Sequence, residues 1–335
     1  MALSLGAEGI EYLEPGHFQS FVSYRWLTAD TGYIGADKWG KYDDVVGADI
    51  KVHSVDWNLT YALSRRFSIS ATQPFVYARG KSLAEHGDGH RHTTHGSGLG
   101  DFRLTANAWL WDPDVAQKGN VSLSFGFKAP TGQYDIKDTF YYTDETTPCD
   151  KDTCRRNVDI SIQPADGGWG LILEAQAFRN VLERTYLYAS GFYLANPEDT
   201  NGARTPVPLY GGIQRISVPD QYQARVGLSY ALWPHQGLAV SLGARIDGMN
   251  RKDLIGENDG FRRPGYAIYA EPGLTLSRGK NTFSLYVPVL LGANRERNVL
   301  DDEADCSSVP DSATCGHGAG AYADYLIIFS VSRRF

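Results

Sequence analysis

A succession of amphipathic segments, joined alternately by long and short connections, is the feature that most constrains the fold of this sequence. Apolar residues recur at every second position, as in a β-strand that has one apolar face and one polar face. In the final stretch, residues 321–335, Tyr325 and Phe329 lie on one face and Ser330 and Ser332 on the other. Soluble β-sandwiches and membrane barrels both use such strands, so the alternation alone leaves both folds open.

The lengths of the connections decide between these two folds. Twelve segments are joined by six long and five short connections. An even strand number, long loops on one side and short turns on the other are typical of transmembrane barrels, whereas nothing in a sandwich sorts its connections by length. The sequence therefore predicts an all-β fold, a single transmembrane antiparallel β-barrel of about twelve strands with long extracellular loops and short periplasmic turns. The predicted strands are 17–27, 49–63, 67–77, 98–111, 120–129, 169–179, 184–195, 221–233, 237–249, 264–277, 281–293 and 321–335.

Composition agrees with a barrel and excludes helical membrane spans. The 335 residues have a mean hydropathy of −0.34, and they contain no apolar run of about eighteen residues, which a spanning helix needs. Phe335, an aromatic residue at the end of the closing strand, is typical of bacterial outer-membrane barrels, and we expect that location. Aromatic residues also lie next to the short turns, as expected of an interfacial girdle. These are Tyr61, Phe67, Trp111, Tyr186, Tyr230, Trp233, Phe283 and Phe335.

The chain is predicted to consist of a barrel, residues 17–335, and a polar leader, residues 1–16. The leader is too polar for a lipid-facing strand. It is either a loose periplasmic segment or a plug that folds into the lumen, and the sequence does not choose between them. Because the residues that follow Met1 lack the pattern of a signal peptide, we interpret the chain as a mature sequence whose export signal has been removed.

Charged and polar residues recur on the faces predicted to point into the lumen. Buried charges of both signs are costly unless they are paired or hydrated, so these residues either cross-link the interior or line a narrow aqueous path. Twelve strands enclose more space than an eight-stranded barrel and less than a wide porin, which predicts a narrow channel partly filled by side chains or by a loop. The predicted lumen residues are Arg25, Asp56, Asn58, Asp101, Arg103, Lys128, Glu174, Arg225, Arg245, Asp247, Glu271, Asp324 and Arg334.

Two short motifs lie at the outer ends of the fourth and fifth predicted strands: one opens the fourth strand and the other closes the fifth. Residues 97–101 read SGLGD and residues 128–132 read KAPTG, within the longer stretches GDFRL and FGFKAPTG. With the glycine-rich pattern of twelve strands, these motifs resemble the outer-membrane channels associated with the meta-cleavage pathway of phenol degradation. The resemblance covers the whole barrel and implies a channel whose proposed cargo is small aromatic or other apolar compounds. It implies no catalytic residue.

The four cysteines form two close pairs in predicted loops. Cys149 and Cys154 lie in one polar stretch, and Cys306 and Cys315 lie in another. Spacings of four and eight intervening residues match no common zinc knuckle, so we favour two local disulfides over two halves of a metal site. Disulfides indicate an oxidising compartment, as expected of a protein exported from the cytoplasm.

A histidine-rich segment, predicted as a loop over residues 79–97, contains His86, His90, His92 and His95. Neutral imidazoles bind transition metals well, so Zn or Cu binding and a plain solvated loop are both open. The acidic stretch 301–311, with Asp301, Asp302, Glu303, Asp305 and Asp311, is a second candidate, for Ca, although it lacks the spacing of an EF-hand. No cofactor is expected to be required.

A passive outer-membrane channel for small solutes is the leading hypothesis for the function. The alternative is a metal-capturing or partner-docking barrel that uses the histidine-rich segment. An enzyme in the barrel wall is not predicted, because no outward-facing serine and histidine are paired on neighbouring strands. Outer-membrane lipid, lipopolysaccharide and a small solute are the expected partners. Charges of both signs are scattered along a chain of net charge −7, which argues against nucleic acid.

Overall fold

The computed structural model describes residues 12–41, 49–83, 85–86, 88–141, 153–206, 209, 212–302 and 318–335. Within these residues the chain forms strands with three short 3-10 segments, η1 (Ile160–Ile162), η2 (Pro234–Gln236) and η3 (Val299–Asp302). The strands, in chain order, are β1 (Phe18–Ile34), β2 (Asp37–Lys41), β3 (Asp49–Ala62), β4 (Phe67–Ser82), β5 (His92–Leu99), β6 (Phe102–Trp109), β7 (Gly119–Ala129), β8 (Lys137–Tyr141), β9 (Thr153–Asn157), β10 (Gly170–Leu182), β11 (Thr185–Ala195), β12 (Thr200–Arg204), β13 (Arg215–Ser217), β14 (Gln221–Trp233), β15 (Leu238–Met249), β16 (Gly265–Arg278), β17 (Asn281–Tyr286), β18 (Val289–Arg295) and β19 (Ala319–Arg334).

The wall of the molecule is a closed antiparallel barrel of twelve strand positions, as the sequence predicts. Each wall strand pairs with its neighbours in the chain, and β19 pairs with β1 from Gln19↔Arg334 to Ile34↔Ala319. The seam is completed where the Phe335 amide donates to the Phe18 carbonyl at 2.8 Å. Closure leaves the wall without a free edge, which a strand in lipid requires because nothing there replaces a missing hydrogen bond.

Two strand positions are each occupied by two shorter strands. Both β5 and β6 pair with β4, and both β17 and β18 pair with β16. The first break is at Gly100, whose amide donates to the carbonyl of Pro74 at 2.9 Å. The second break contains Pro288, which has no amide hydrogen to donate to a ladder. The predicted strands 98–111 and 281–293 each correspond to one position in the wall, but each is interrupted and forms parts of two shorter strands.

The outer face of the wall is apolar, as the alternation predicts. Leu242 is 63% exposed, Phe125 59%, Trp57 53% and Leu228 50%, and all four lie on wall strands with lumen-facing residues between them. Large apolar side chains this exposed over a whole wall require an apolar surrounding. All eight aromatic residues of the predicted girdle are exposed beside the short turns or at the end of the closing strand. The described residues form no helix both long enough and apolar enough to cross a membrane.

The long-loop side departs from the predicted strand limits. Strand β1 continues to Ile34 and turns back as β2, and β4 continues to Ser82. The predicted loop 79–97 was wrong in extent, because residues 92–99 form β5 and pair with β4. Two small hairpins, β8 with β9 and β12 with β13, lie within other long loops. These extensions are polar, so their alternation is weaker than that of the lipid-facing segments.

Candidate functional site in the barrel lumen

One side of the lumen carries a ladder of paired charges on β14, β15 and β16, called here the charged ladder: Arg225, Glu271, Arg245, Asp247 and Gln223. Arg225 donates from Nε to Glu271 Oε1 at 2.7 Å, and Arg245 donates from Nη1 to Glu271 Oε2 at 3.4 Å. Arg245 also donates from Nε to both oxygens of Asp247, at 2.9 and 3.0 Å. Gln223 completes the ladder by donating to Asp247 at 2.8 Å. Four predicted lumen residues are thus brought together, and each has a partner.

A second group of charges, on β1 and β3, is not paired in this way. Arg25 is 7% exposed and Asp56 is 6% exposed, yet no salt bridge within 4.0 Å joins either to a described residue. Nε and Nη2 of Arg25 and Oδ1 of Asp56 have no hydrogen-bond partner among the described residues. Arg25 interacts electrostatically with Asp56 and with the charged ladder across the lumen. A buried guanidinium with unsatisfied donors is costly unless water or a ligand satisfies them.

Between these groups runs a cluster of inward-facing apolar side chains, called here the apolar wall. It draws on β1, β16, β17, β18 and β19, so it occupies the seam where the barrel closes. The buried members are Tyr33, Ala267, Tyr269, Ala293, Leu326 and Ile328, and Leu27, Tyr286, Leu290 and Tyr322 pack against them. Arg225 lies 4.8 Å from the ring centre of Tyr286, and Arg295 lies 4.0 Å from that of Tyr322. The apolar wall therefore borders cations on two sides.

The loop between β7 and β10, called here the loop cap, turns into the long-loop end of the lumen. Its Val158 and Ile162 are fully buried against Val52, Val76 and Ala78, which face inward from β3 and β4. Gly96 on β5 is required for this contact, because a Cβ there would lie 2.0 Å from the carbonyl oxygen of Ile162. The cap therefore packs against the inner face of β3, β4 and β5.

The two short motifs identified in the sequence hold this cap in place. Lys128, from KAPTG, forms a buried ion pair with Asp166 of the cap and lies 3.8 Å from Asp101, from SGLGD. Asp101 accepts hydrogen bonds from the amides of Gly132 at 2.9 Å and of Gly167 at 3.3 Å. A side chain at position 132 would contact the backbone of position 101, so glycine is needed there. Asp101 and Lys128, two of the predicted lumen residues, thus anchor a loop.

The opposite end of the lumen is entered by the end of the leader. Tyr12 packs edge-on against Trp109 with ring centres 4.7 Å apart, and it also contacts Phe178. Asn120 donates to the Tyr12 hydroxyl at 3.0 Å, and that hydroxyl donates to the Ala116 carbonyl at 3.3 Å. These contacts place Tyr12 inside the short-turn mouth. Residues 1–11 lie outside the described residues, so both predictions for the leader, a loose periplasmic segment and a lumen plug, stay open.

The remaining predicted lumen residues occupy different heights of the barrel. Asn58 bonds Thr72 at 2.7 Å across the inner face of the wall. Arg103 interacts electrostatically with Glu174 on β10 and with Asp56. The other two lie near the ends of the lumen. Asp324 accepts from Thr31 at 2.8 Å near the long-loop rim, and Arg334 donates to the Gly279 carbonyl at 3.2 Å beside a short turn.

The four candidate metal-binding histidines do not converge. His86 and His92 have ring centres 4.7 Å apart, but His92 bonds Asp88 at 2.6 Å. His95 lies 3.5 Å from Asp138, and His90 is exposed. The described residues contain no group of three or more metal-binding side chains placed to hold an ion. Metal binding by this segment stays a prediction.

Three extracellular loops meet at a cluster of charges formed by the buried Asp159 and the half-buried Glu85 and Arg263. Arg263 donates from Nη1 and Nη2 to the two oxygens of Asp159 at 2.5 and 2.6 Å. Although burial opposes ionisation, Arg263 holds the pKa of Asp159 below its usual range. Burial and the neighbouring Asp159 carboxylate raise the pKa of Glu85 to about 8. The cluster therefore contains one ion pair and one carboxyl group that titrates near neutral pH.

The cysteine and acidic-loop predictions fall largely outside the described residues. Cys154, on β9, is not a free thiol. Cys149, Cys306 and Cys315 lie outside the described residues, so their pairing stays a prediction. The same holds for residues 303–317, which include Glu303, Asp305 and Asp311, and for the side chain of Asp302. Asp301 is buried and accepts from the Asn298 amide at 2.5 Å.

Sequence reasoning missed the apolar wall and the cap residues. Tyr269, Leu326 and Ile328 look like ordinary strand residues in the sequence. Only their spacing of two or four positions from the inward-facing Glu271 and Ser330 indicates that they face the inside of the barrel. A search for apolar residues on polar faces would have found them. Asp166 and Ile162 gave no signal, because they lie in an irregular loop and their roles depend on tertiary contacts.

The closed wall, the apolar outer belt, the aromatic girdle and the polar interior define the chain as a transmembrane β-barrel of the bacterial outer-membrane type. Comparison with solved structures agrees with this class. The chain is similar to an outer membrane channel from Pseudomonas putida F1, with a TM-score of 0.63, 15% sequence identity, and coverage of 98% of this chain and 100% of the other. At this identity the likeness establishes the fold.

Two weaker likenesses support no further argument. They are the translocator domain of the autotransporter NalP from Neisseria meningitidis, with a TM-score of 0.48, 10% identity and coverage of 97% and 90%, and a mutant of the TodX monoaromatic hydrocarbon channel, with a TM-score of 0.48, 8% identity and coverage of 96% and 90%. No protein-family model matches the sequence. No curated protein matches it at a significant level.

Proposed function

We propose that this protein is a passive outer-membrane channel for small solutes, with aromatic and other apolar compounds as its preferred cargo. One observation carries the proposal: the lumen holds buried polar atoms that the protein leaves unsatisfied, beside a continuous apolar wall. Oδ1 of Asn107 and Oγ of Ser122 lack partners among the described residues, as do atoms of Arg25 and Asp56. Such atoms are satisfied by water, so they mark a hydrated path through the interior.

The apolar wall gives this path its preference for cargo. A lumen that carried only hydrophilic solutes would have no need of Tyr269, Leu326 and Ile328 on its inner face, where they pack against one another away from lipid. Aromatic rings bind to such surfaces through area burial and offset ring contacts. A similar barrel, the one from Pseudomonas putida F1, is an outer membrane channel. No step of catalysis is part of the proposal.

Proteoliposome swelling tests the proposal with solutes that cross lipid slowly. Purified full-length protein is reconstituted, and swelling rates are compared for arabinose, glutamine and phenylalanine. We expect measurable swelling with all three and a phenylalanine rate above that of glutamine, because glutamine lacks an aromatic ring. Swelling equal to that of empty liposomes would contradict the channel, and a glutamine rate above that of phenylalanine would contradict the aromatic preference.

A second candidate function, metal capture by the histidine-rich segment, rests on one observation. Nε2 of His86 is buried and has no hydrogen-bond partner among the described residues, and the ring of His92 is close to it. Burial and the neighbouring His92 lower the pKa of His86, which keeps its ring neutral and able to bind an ion. Calorimetric titration with Zn²⁺ and Cu²⁺ tests this function. Equal heats before and after replacement of His86 and His92 by alanine would remove it.

Lipid and lipopolysaccharide are the proposed partners of the outer surface. The apolar belt is matched to hydrocarbon, and the polar extensions of β1, β3, β4 and β19 rise above it on the long-loop side. Co-purification of lipopolysaccharide with the native protein, lost when loop cations are replaced, would support this assignment.

A further inference from the structure

Arg25 is the group in the lumen whose surroundings are least complete. It projects inward from β1 and is 7% exposed. The donors it leaves unsatisfied, Nε and Nη2, lie on the same edge of the guanidinium. That edge is the side-on fork that receives both oxygens of a carboxylate. The charged ladder pairs both of its guanidiniums with carboxylates of the protein, although Nη2 of Arg245 has no partner among the described residues, whereas Arg25 has no carboxylate within ion-pair distance among them.

The protein offsets the charge of Arg25 without filling this fork. Asp56 and Asp247 attract it, while Arg103 and Arg245 repel it. Asp247 is already engaged by Arg245. Asp56 is placed diagonally from Arg25 on the same face, since Arg25 pairs directly with Ser54 and Asp56 pairs directly with Ser23. The position thus tolerates a guanidinium but leaves two donors for a ligand oxygen pair.

An apolar surface begins immediately beside this fork. Ile328 of β19 is the direct cross-strand partner of Arg25, and Leu326 is that of Leu27. Directly paired residues present their side chains on the same face about 4.5–5.5 Å apart at Cβ. Leu27, Leu326 and Ile328 all belong to the apolar wall, which also contains Tyr269. A ligand whose carboxylate meets Arg25 would therefore place its apolar body on these side chains.

We propose that Arg25 and the adjoining apolar wall form a subsite for an aromatic monocarboxylate, with the ring on Leu27 and Ile328 and the carboxylate on Nε and Nη2 of Arg25. This inference rests on the proposed channel function and narrows its cargo to small amphipathic anions. A hydrocarbon fills the apolar surface but leaves the donors unsatisfied, and a polar anion does the reverse. Only a ligand with both parts satisfies the whole subsite.

The test uses benzoate with the full-length protein and three variants. Arg25→Gln removes the charge, Arg25→Lys keeps the charge without the fork, and Arg278→Gln is the matched control, because Arg278 is exposed at the end of β16. Binding is measured by calorimetric titration of the detergent-solubilised protein. Selectivity is measured as the reversal potential across a planar bilayer with sodium benzoate on one side and sodium chloride on the other.

We expect the wild type and Arg278→Gln to bind benzoate and to favour it over chloride. Arg25→Gln should bind about ten- to a hundredfold more weakly, as expected for loss of a charged hydrogen-bond pair, and Arg25→Lys should be intermediate. Unchanged benzoate affinity in Arg25→Gln, or equal binding of benzoate and cyclohexanol by the wild type, would overturn the inference. A wild type that conducts without favouring benzoate would overturn it and leave the channel standing. Absence of any conductance would contradict the channel, while calorimetry would still decide the subsite.

Discussion

At the scale of single residues, buried ion pairs explain why the two sequence motifs are placed as they are. Lys128 lies between Asp101 and Asp166, and each of the three side chains is nearly inaccessible to solvent. The alternation of the strands predicts an inward-facing aspartate and lysine here. It gave no account of their purpose, because Asp166 lies in an irregular loop far along the chain.

Replacing Lys128 by methionine should destabilise the protein by about 3–5 kcal/mol, because two carboxylates would then be buried without a cation. The loop cap should also detach, which raises the channel conductance. Urea unfolding in lipid vesicles, followed by tryptophan fluorescence, measures the first effect. Lys118→Met is the control, since Lys118 is exposed in a turn. Equal stability of the two variants would contradict the anchoring role.

Glu85 gives the loop cluster a dependence on pH. Its pKa in the folded protein is about 8, above that of a carboxyl group in an unfolded chain, so the folded state holds a proton that the unfolded state releases. The resulting stabilisation is fully present below the unfolded pKa and is lost as pH rises through about 8. The protection factors of the backbone amides of residues 158–163, which correct for the intrinsic exchange rate at each pH, should therefore be higher at pH 5 than at pH 8.5.

The control for this pH dependence is Glu85→Gln, which keeps a neutral side chain at every pH. Protection in that variant should change little across the same range. A variant with the pH dependence of the wild type would show that another group is responsible.

At the scale of elements, the loop cap is held by shape as well as by charge. Ile162 is fully buried against strands β3 and β4, and Gly96 allows its backbone to approach β5. The sequence predicted a long loop here and a lumen partly filled by a loop. It did not predict which loop enters, because the contact pairs residues of β3 and β4 with residues more than eighty positions later.

Ile162→Ala should loosen the cap by about 2–5 kcal/mol, the usual cost of truncating a fully buried isoleucine. Gly96→Ala should displace the cap without altering its sequence, because the new Cβ would overlap a carbonyl oxygen. Both variants should increase single-channel conductance. Gly292→Ala is the matched control, since a Cβ there meets nothing within 4 Å. Conductance that is the same in all three variants would exclude the cap as the constriction.

At the scale of the whole molecule, the outer belt and the closed wall are the parts most fully predicted from sequence. Alternation identifies them because every lipid-facing residue is apolar for one physical reason, and loop lengths sort the two ends. The interior is harder to predict, since inward positions are chosen by partners on distant strands. Arg225 and Arg25 carry the same signal in the sequence, but Arg225 has a carboxylate partner and Arg25 has none in the part of the chain that the structure describes.

Leu242→Arg, near the middle of β15 on the outer face, should destabilise the inserted barrel by about 2–4 kcal/mol, because it places a charge in hydrocarbon. Leu254→Arg should have little effect, because Leu254 is 71% exposed in an extracellular loop. Refolding yields into lipid vesicles at graded urea concentrations compare the two. A similar cost at both positions would contradict the assignment of the lipid-facing belt.

The central claim, that small aromatic solutes pass through the lumen along the apolar wall, is tested most directly by narrowing that passage. Leu27→Trp adds an indole to the apolar wall inside the barrel, whereas Leu242→Trp adds the same group to the lipid-facing side. The rate of phenylalanine-driven proteoliposome swelling should fall at least about tenfold in Leu27→Trp and stay at the wild-type value in Leu242→Trp. Equal rates in the two variants would contradict passage through the lumen.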